Sequence, residues 1–125
     1  YTPGHTDDSF SYLLRYYQDC YLFTGDTLLI NGCGRTDFQN GDSGQLYDSI
    51  NQKLFSLGEN TIVLPGHDYN GLTRTTIGDQ KRTNPRLANK SKDEFIHIMN
   101  NLNLTTPKLM DVAVPLNLNL GKSNV

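Results

Sequence analysis

Phe23-Thr24-Gly25-Asp26 ends the apolar run Cys20–Thr24 on a glycine and a carboxylate. Two other runs carry the same punctuation, Tyr-Thr-Pro-Gly-His-Thr at positions 1–6 and Leu-Pro-Gly-His-Asp at positions 64–68. Gly and Pro turn the backbone sharply, so a side chain just past such a run is aimed at the rim of a sheet. His5, Asp26 and His67 thus face a common rim. Imidazole and carboxylate are the donors preferred by zinc and non-haem iron, and two His with one Asp form a facial triad with open positions. His97 sits inside a helical stretch with no such motif and reads as an ordinary surface or core residue.

Working outward, Ser9–Tyr17 is rich in aromatic and β-compatible residues and predicts a strand, Cys20–Thr24 a second and Thr27–Ile30 a third. Asn31–Gly44, built of Gly, Asn, Asp and Thr, reads as a long loop. Leu46, Tyr47, Ile50, Leu54 and Leu57 recur at helical spacing, with Asp42 or Ser43 as the cap and Gly58 as the stop. Thr61–Leu64 predicts a buried-type strand broken at Pro65, and Thr76–Arg82 a short helix stopped by Asn84 and Pro85. Ser91 and Glu94 form a capping box before a helix whose apolar face is Phe95, Ile98, Met99 and Leu102. The tail beyond Pro107 shows no period. This order of elements argues for mixed α/β layers.

The bulk properties exclude several classes. Eleven basic and thirteen acidic residues give a net charge of -2, so there is no footprint for nucleic acid or an anionic membrane. No stretch approaches the roughly 18 apolar residues of a membrane span. Two cysteines, Cys20 and Cys33, are too few for a disulfide framework and suggest a reducing compartment. At 125 residues there is room for one domain. Because the chain opens on Tyr1, inside a motif, its true beginning is expected to lie upstream.

The His5, Asp26 and His67 motifs resemble the later ligand motifs of the metallo-β-lactamase superfamily, whose first motif, His-x-His-x-Asp-His, is absent from these residues. Gly32-Cys33-Gly34-Arg35 resembles both the glyoxalase II-like hydrolases and the persulfide dioxygenases. Thr36-Asp37-Phe38, Tyr69, Thr83-Asn84-Pro85-Arg86-Leu87, Asn100–Leu104 and Asp111-Val112-Ala113-Val114-Pro115 resemble the dioxygenase branch. The resemblance runs from Thr2 to about Gly121. It implies an α/β (α+β) fold in which residues 1–125 are the C-terminal half of a metallo-β-lactamase αββα sandwich, contributing about one sheet with its helices. Alone, that sheet is expected to leave an apolar face uncovered.

The resemblance also implies a chemistry: oxidation of glutathione persulfide by O2 and water to glutathione and sulfite, with one Fe(II) per complete domain. His5 and Asp26 would be two of its three ligands, the third a His from outside this chain. His67 would lie beside the iron, with His67 and Asp68 as the catalytic candidates and Asp68 orienting a neighbouring His or the turn. Arg35 is expected to meet a substrate carboxylate or Asp37, and Tyr69 to hold the glutathione moiety. Thr6 and Thr24 would offer hydroxyls behind the ligands, and Cys33 reads as a small buried thiol. The implied partners are small molecules, with no nucleic acid or membrane, and relatives often pair as homodimers. The compartment would be the mitochondrial matrix in a eukaryote and the cytoplasm in a bacterium.

Two other functions fit fewer of these residues. A hydroxyacylglutathione hydrolase of the glyoxalase II type would be a dizinc thioesterase, with His67 on the second metal. A truncated half-domain would act only as a binding or structural piece.

Overall fold

A computed structural model describes residues 1–122. One four-stranded sheet forms the centre, in the order β1 (Tyr12–Tyr16), β2 (Asp19–Gly25), β5 (Ile62–Pro65), β6 (Thr75–Thr76), with a small hairpin of β3 (Leu28–Leu29) and β4 (Gly32–Cys33) beside it. β1 and β2 are antiparallel, joined through Tyr17 in the left-handed region at φ 52°. β2 and β5 are parallel, and β5 and β6 antiparallel. Alternation along β2 buries Leu22 and Thr24 and leaves Phe23 exposed.

The buried face of the sheet, with Leu22 and Val63, packs on helices. Leu46, Ile50 and Leu54 from the segment after β4 meet Phe95 and Met99 from α3 (Lys92–Asn100). Tyr47 lies 5.5 Å from Phe95, ring to ring, and donates its hydroxyl to the Lys90 carbonyl at 2.8 Å. Asp42 caps α1 (Ser43–Asp48) by accepting from the Gln45 N–H, and Ser91 caps α3 by accepting from the Glu94 N–H. Both caps match the pattern read in the sequence.

Several boundaries differ. The first helix continues as a π-helical turn, Ser49–Leu54, in which the Phe55 N–H reaches back to the Ile50 carbonyl. The helix therefore ends before Leu57, and Gly58 instead accepts from the Thr61 N–H in the turn that precedes β5. The expected long loop begins only after Cys33, because Gly32–Cys33 pairs with Leu28–Leu29. The aperiodic tail holds a helix, α4 (Met110–Leu118), which contains Pro115. It buries none of its residues, so selection for an apolar stripe left no period to read. The mixed α/β class agrees with the sequence reading.

The outer sheet face is bare. Tyr12, Leu14 and Tyr16 of β1 are 66%, 51% and 60% exposed, and Phe23, which pairs with Tyr12, is 42% exposed. This is the uncovered apolar face anticipated above. No helix among the described residues is long and apolar enough to cross a membrane.

Candidate metal centre

Parallel pairing of β2 and β5 brings two loop starts to one edge of the sheet. Phe23 pairs with Leu64 and Gly25 with Pro65, the register slipping by a bulge between them. The Gly66 N–H donates to the Gly25 carbonyl at 2.7 Å, so Asp26 and His67 leave their strands side by side. Crevices at the carboxyl ends of parallel strands are where α/β sheets bind ligands. Gly25 takes φ 50°, a conformation that costs glycine little, and this aims Asp26 across the strand ends.

His5 arrives from the N-terminal loop. That loop is pinned to the α1 region: Ser49 Oγ donates to the Pro3 carbonyl at 2.7 Å and the Asp42 N–H to the Gly4 carbonyl at 2.8 Å. The His5 ring lies over Gly34, where a Cβ would overlap the Asp26 carbonyl oxygen and sit 2.7 Å from Nδ1. Only glycine lets the ring and the Asp26 backbone approach this closely.

Asp26 stands between the two imidazoles. His67 Nδ1 is 2.5 Å from Asp26 Oδ1, and His5 Nε2 is 3.6 Å from Oδ2. His5 Nδ1 is 2.7 Å from the Arg35 carbonyl, which only accepts, so Nδ1 carries the proton. In the neutral ring, Nε2 then turns a lone pair toward a carboxylate oxygen. Two acceptors facing each other across this gap have nothing to share, unless a cation lies between them. Bonds of about 2.0–2.2 Å from one ion to each donor leave such a spacing. An imidazole whose far N–H is held by a carbonyl is also the usual arrangement of a metal-binding His. His5 and Asp26 thus fit a metal ion. Among the described residues no group of three His, Cys, Asp or Glu is placed to hold one alone.

The remaining residues divide. Asp26 Oδ1 can only accept when ionised, so His67 Nδ1 donates to it and the ring is positioned by Asp26. Tyr69 is 83% exposed and stacks parallel to His67, with ring centres 6.4 Å apart. Asp68 pairs with neither histidine: Oδ2 accepts from the Asn70 and Leu72 N–H groups at 2.9 and 2.6 Å and holds the turn. Of the two partners open to Arg35, Asp37 takes its fork, with Nε and Nη2 donating at 2.7 and 2.8 Å. Nη1 donates to the Thr105 carbonyl at 2.7 Å, tying the tail to the site loop. The bidentate Arg35 holds the Asp37 carboxyl below the usual carboxylate range. The hydroxyls of Thr6 and Thr24 serve Asp8, Ser9 and the Leu28 carbonyl rather than the ligands, a correction to the sequence reading.

His5, Asp26, Arg35, His67, Asp68 and Tyr69 line a cleft of about 620 Å³ that also holds Cys33 and Arg86. Burial pushes the Cys33 thiol up, partly offset by Arg86, so it stays protonated at neutral pH. Arg86 escaped the sequence reading except as part of a family motif. Its signal was charge: no acidic residue occurs from position 80 to 92. Fully buried Asn84 anchors it, accepting from the Arg86 N–H while its own amide donates to the Gly32 carbonyl and to Gln80 Oε1.

A sequence profile described as "Metallo-beta-lactamase superfamily" matches residues 1–67. The chain belongs to the metallo-β-lactamase superfamily. Among relatives in this metal-binding superfamily, it is 47% identical over 120 residues to mouse (Mus musculus) "Persulfide dioxygenase ETHE1, mitochondrial", covering 96% of this chain and 46% of that protein. The crystal structure of ETHE1 from Myxococcus xanthus superposes with a TM-score of 0.87 at 61% identity, covering 97% of this chain and 52% of that one. "Hydroxyacylglutathione hydrolase GloC" of Haemophilus influenzae is 42% identical over 89 residues, 71% of this chain and 39% of that protein. The chain spans about half the length of the dioxygenase relatives it matches.

Proposed function

We propose that this chain supplies the metal-binding rim and substrate cleft of an iron-dependent persulfide dioxygenase, which turns glutathione persulfide, O2 and water into glutathione and sulfite. The observation that carries this reading is the His5–Asp26 pair, two unprotonated donors 3.6 Å apart with the far nitrogen of His5 held by the Arg35 carbonyl. The branch comes from the similarity to proteins named persulfide dioxygenase across nearly the whole chain.

Bound iron would supply the redox chemistry with O2 and a positive centre for the persulfide sulfur. His5 and Asp26 would hold it, and a third His, from sequence outside these 125 residues, would complete the set. Two neutral imidazoles and one carboxylate leave a net +1 on Fe(II), favouring an anionic sulfur. His67 keeps Asp26 oriented and presents its ring to the cleft, and Tyr69 extends that wall as a flat surface for the peptide. Arg35 shapes the site through its carbonyl and its grip on Asp37 and Thr105. Asp68 holds the turn that sets His67.

The test is metal content and turnover of the full-length protein. One iron per chain, with sulfite formed from glutathione persulfide, is the expected result. His5→Ala or Asp26→Ala should each lower iron occupancy and reduce sulfite formation by more than the roughly 10–100-fold that loss of a hydrogen-bond partner behind a ligand costs. Retention of both in the double variant would overturn the reading. Two metals per chain with thioester hydrolysis would instead support the hydrolase, the function named for the Haemophilus relative. A eukaryotic parent would place this activity in the mitochondrion, the compartment in the mammalian relative's name, and there in the matrix.

A further inference from the structure

Asn-Gly occurs three times, at 31–32, 40–41 and 70–71. This dipeptide carries a reaction of its own. With no Cβ on the second residue, the glycine nitrogen can swing onto the Asn side-chain carbonyl carbon and displace its amide. The approach needs a nitrogen whose proton no acceptor holds, an Asn side chain free to rotate and a backbone free to move.

The fold withholds these from two of the three pairs. Gly32 is buried and pairs with Leu29 across the β3–β4 hairpin, and the Asn31 N–H donates to Gln80 Oε1 at 2.9 Å. The Gly41 N–H donates to the Phe38 carbonyl at 2.8 Å, and Asn40 Nδ2 donates to Asp7 Oδ2 at 3.2 Å. A Cβ on Gly41 would sit 2.3 Å from the Thr36 carbonyl oxygen, so the chain there has no room to turn. Asn70 and Gly71 are both exposed. Among the described residues no acceptor takes the Gly71 N–H, and nothing bonds the Asn70 side-chain amide. Gly71 stands at φ 76° with nothing within 4 Å of where a Cβ would be, which leaves it open to water.

We propose that Asn70 is a self-modification site, which converts to aspartate and isoaspartate while the other two Asn-Gly pairs persist. The Gly71 nitrogen bonds to Asn70 Cγ, the Cγ–Nδ2 bond breaks, and ammonia leaves with the Gly71 amide proton. Water then opens the five-membered imide. Cleavage at Cγ gives aspartate; cleavage at the main-chain carbonyl gives isoaspartate, in which the chain runs on through Cβ and Cγ. The reaction needs neither metal nor substrate, so it stands apart from the dioxygenase reading. Isoaspartate inserts one backbone atom between the Asn70 and Leu72 N–H groups, which Asp68 Oδ2 accepts together at 2.9 and 2.6 Å. That shared acceptance depends on the native spacing. The isoaspartyl chain therefore releases the Leu72 N–H and loosens the turn that follows His67.

The full-length protein is held for days at mildly alkaline pH and its peptides are mapped by mass, with isoaspartate marked by enzymatic methylation. The peptide spanning 70–71 should gain about one mass unit at least about tenfold faster than those spanning 31–32 and 40–41, which react only through local opening. In concentrated urea, where the fold is gone, the three rates should converge to within about threefold. Asn70→Gln, whose longer side chain closes a six-membered ring slowly, should stop the change at 70–71. Equal native rates, or faster conversion at either other pair, would overturn the proposal. A native Asn70 that persists while the unfolded chain reacts would overturn it as well. Amide exchange reads the loosened turn: Leu72 should exchange at least about tenfold faster in the isoaspartyl form, yet within about twofold of the native rate in Asn70→Asp, which keeps the spacing. Unchanged protection of Leu72 in the isoaspartyl form would overturn that consequence.

Discussion

Each histidine of the site draws its role from the atom behind it. The Arg35 carbonyl fixes the proton of His5 on Nδ1 and frees Nε2, while the Asp26 carboxylate fixes His67 through Nδ1. Arg35 shows how a motif residue acts through its backbone while its side chain is engaged elsewhere. Its latch on Asp37 has a pH signature. The Asp37 carboxyl is held below its ordinary value of 3.8 chiefly by the Arg35 hydrogen bonds. Its contribution to stability is therefore full above that value and is lost as pH falls through the lower, folded-state pKa. Asp37→Asn should cost stability at about pH 5, by about 1 kcal/mol or less because the Asp37 side of the pair is exposed. That difference from the wild type should close as pH drops below the ordinary carboxylate range, as urea midpoints would show. The thiols differ as sharply. Cys33 is 3% exposed and its pKa is raised by burial, so a thiol reagent such as iodoacetamide should modify Cys20 at least about tenfold faster in the native protein. Equal rates would contradict the buried setting of Cys33.

The elements that build the site are short, and side-chain amides join them. Helix α2 (Ile77–Thr83) ends at Asn84, and Gln80 and Asn84 reach across to the β3–β4 hairpin: the Asn31 N–H donates to Gln80 Oε1 at 2.9 Å. Asn84→Ala would leave the buried Gly32 carbonyl and Gln80 Oε1 short of a donor. It should destabilise the fold by about 1–3 kcal/mol, measurable by urea unfolding, and loosen Arg86. A neutral result would mean that the amide frame is dispensable. Periodicity and caps made α1 and α3 legible, because each buries one stripe and each begins on a residue that accepts from its first turn. The same logic overlooked α4, which has no buried stripe, and β6, which is two residues long. It also carried the first helix too far, since a π-helical turn spends an extra residue per hydrogen bond and shifts the later apolar positions off the stripe.

Seen whole, the described residues form a sheet with its helices packed on one face. Tyr12, Leu14, Tyr16 and Phe23 form an apolar face in contact with solvent. Contiguous exposed apolar surface of this kind marks a contact surface or an aggregation liability. The 125-residue chain by itself should therefore bind a hydrophobic dye such as ANS, self-associate at micromolar concentration, bind iron weakly and form no sulfite. Leu14→Lys with Phe23→Lys should suppress the dye signal and the association. A monodisperse chain that binds no dye would show that the face is covered in some other way.

The candidate donors, the caps and the α/β class were readable along the chain because they depend on residue type and on spacings of a few positions. The meeting of Asp26 with His67 spans 41 residues, Arg35 with Thr105 spans 70, and Arg86 with Cys33 spans 53. Those contacts follow from parallel strand pairing and from a tail folding back over the site, neither of which leaves a local pattern. The sequence therefore gave Arg35 a place at the site and named Arg86 only within a longer motif. Packing closed the first against Asp37 and Thr105 and set the second against Cys33, since which acceptors each meets depends on neighbours that are distant in the chain.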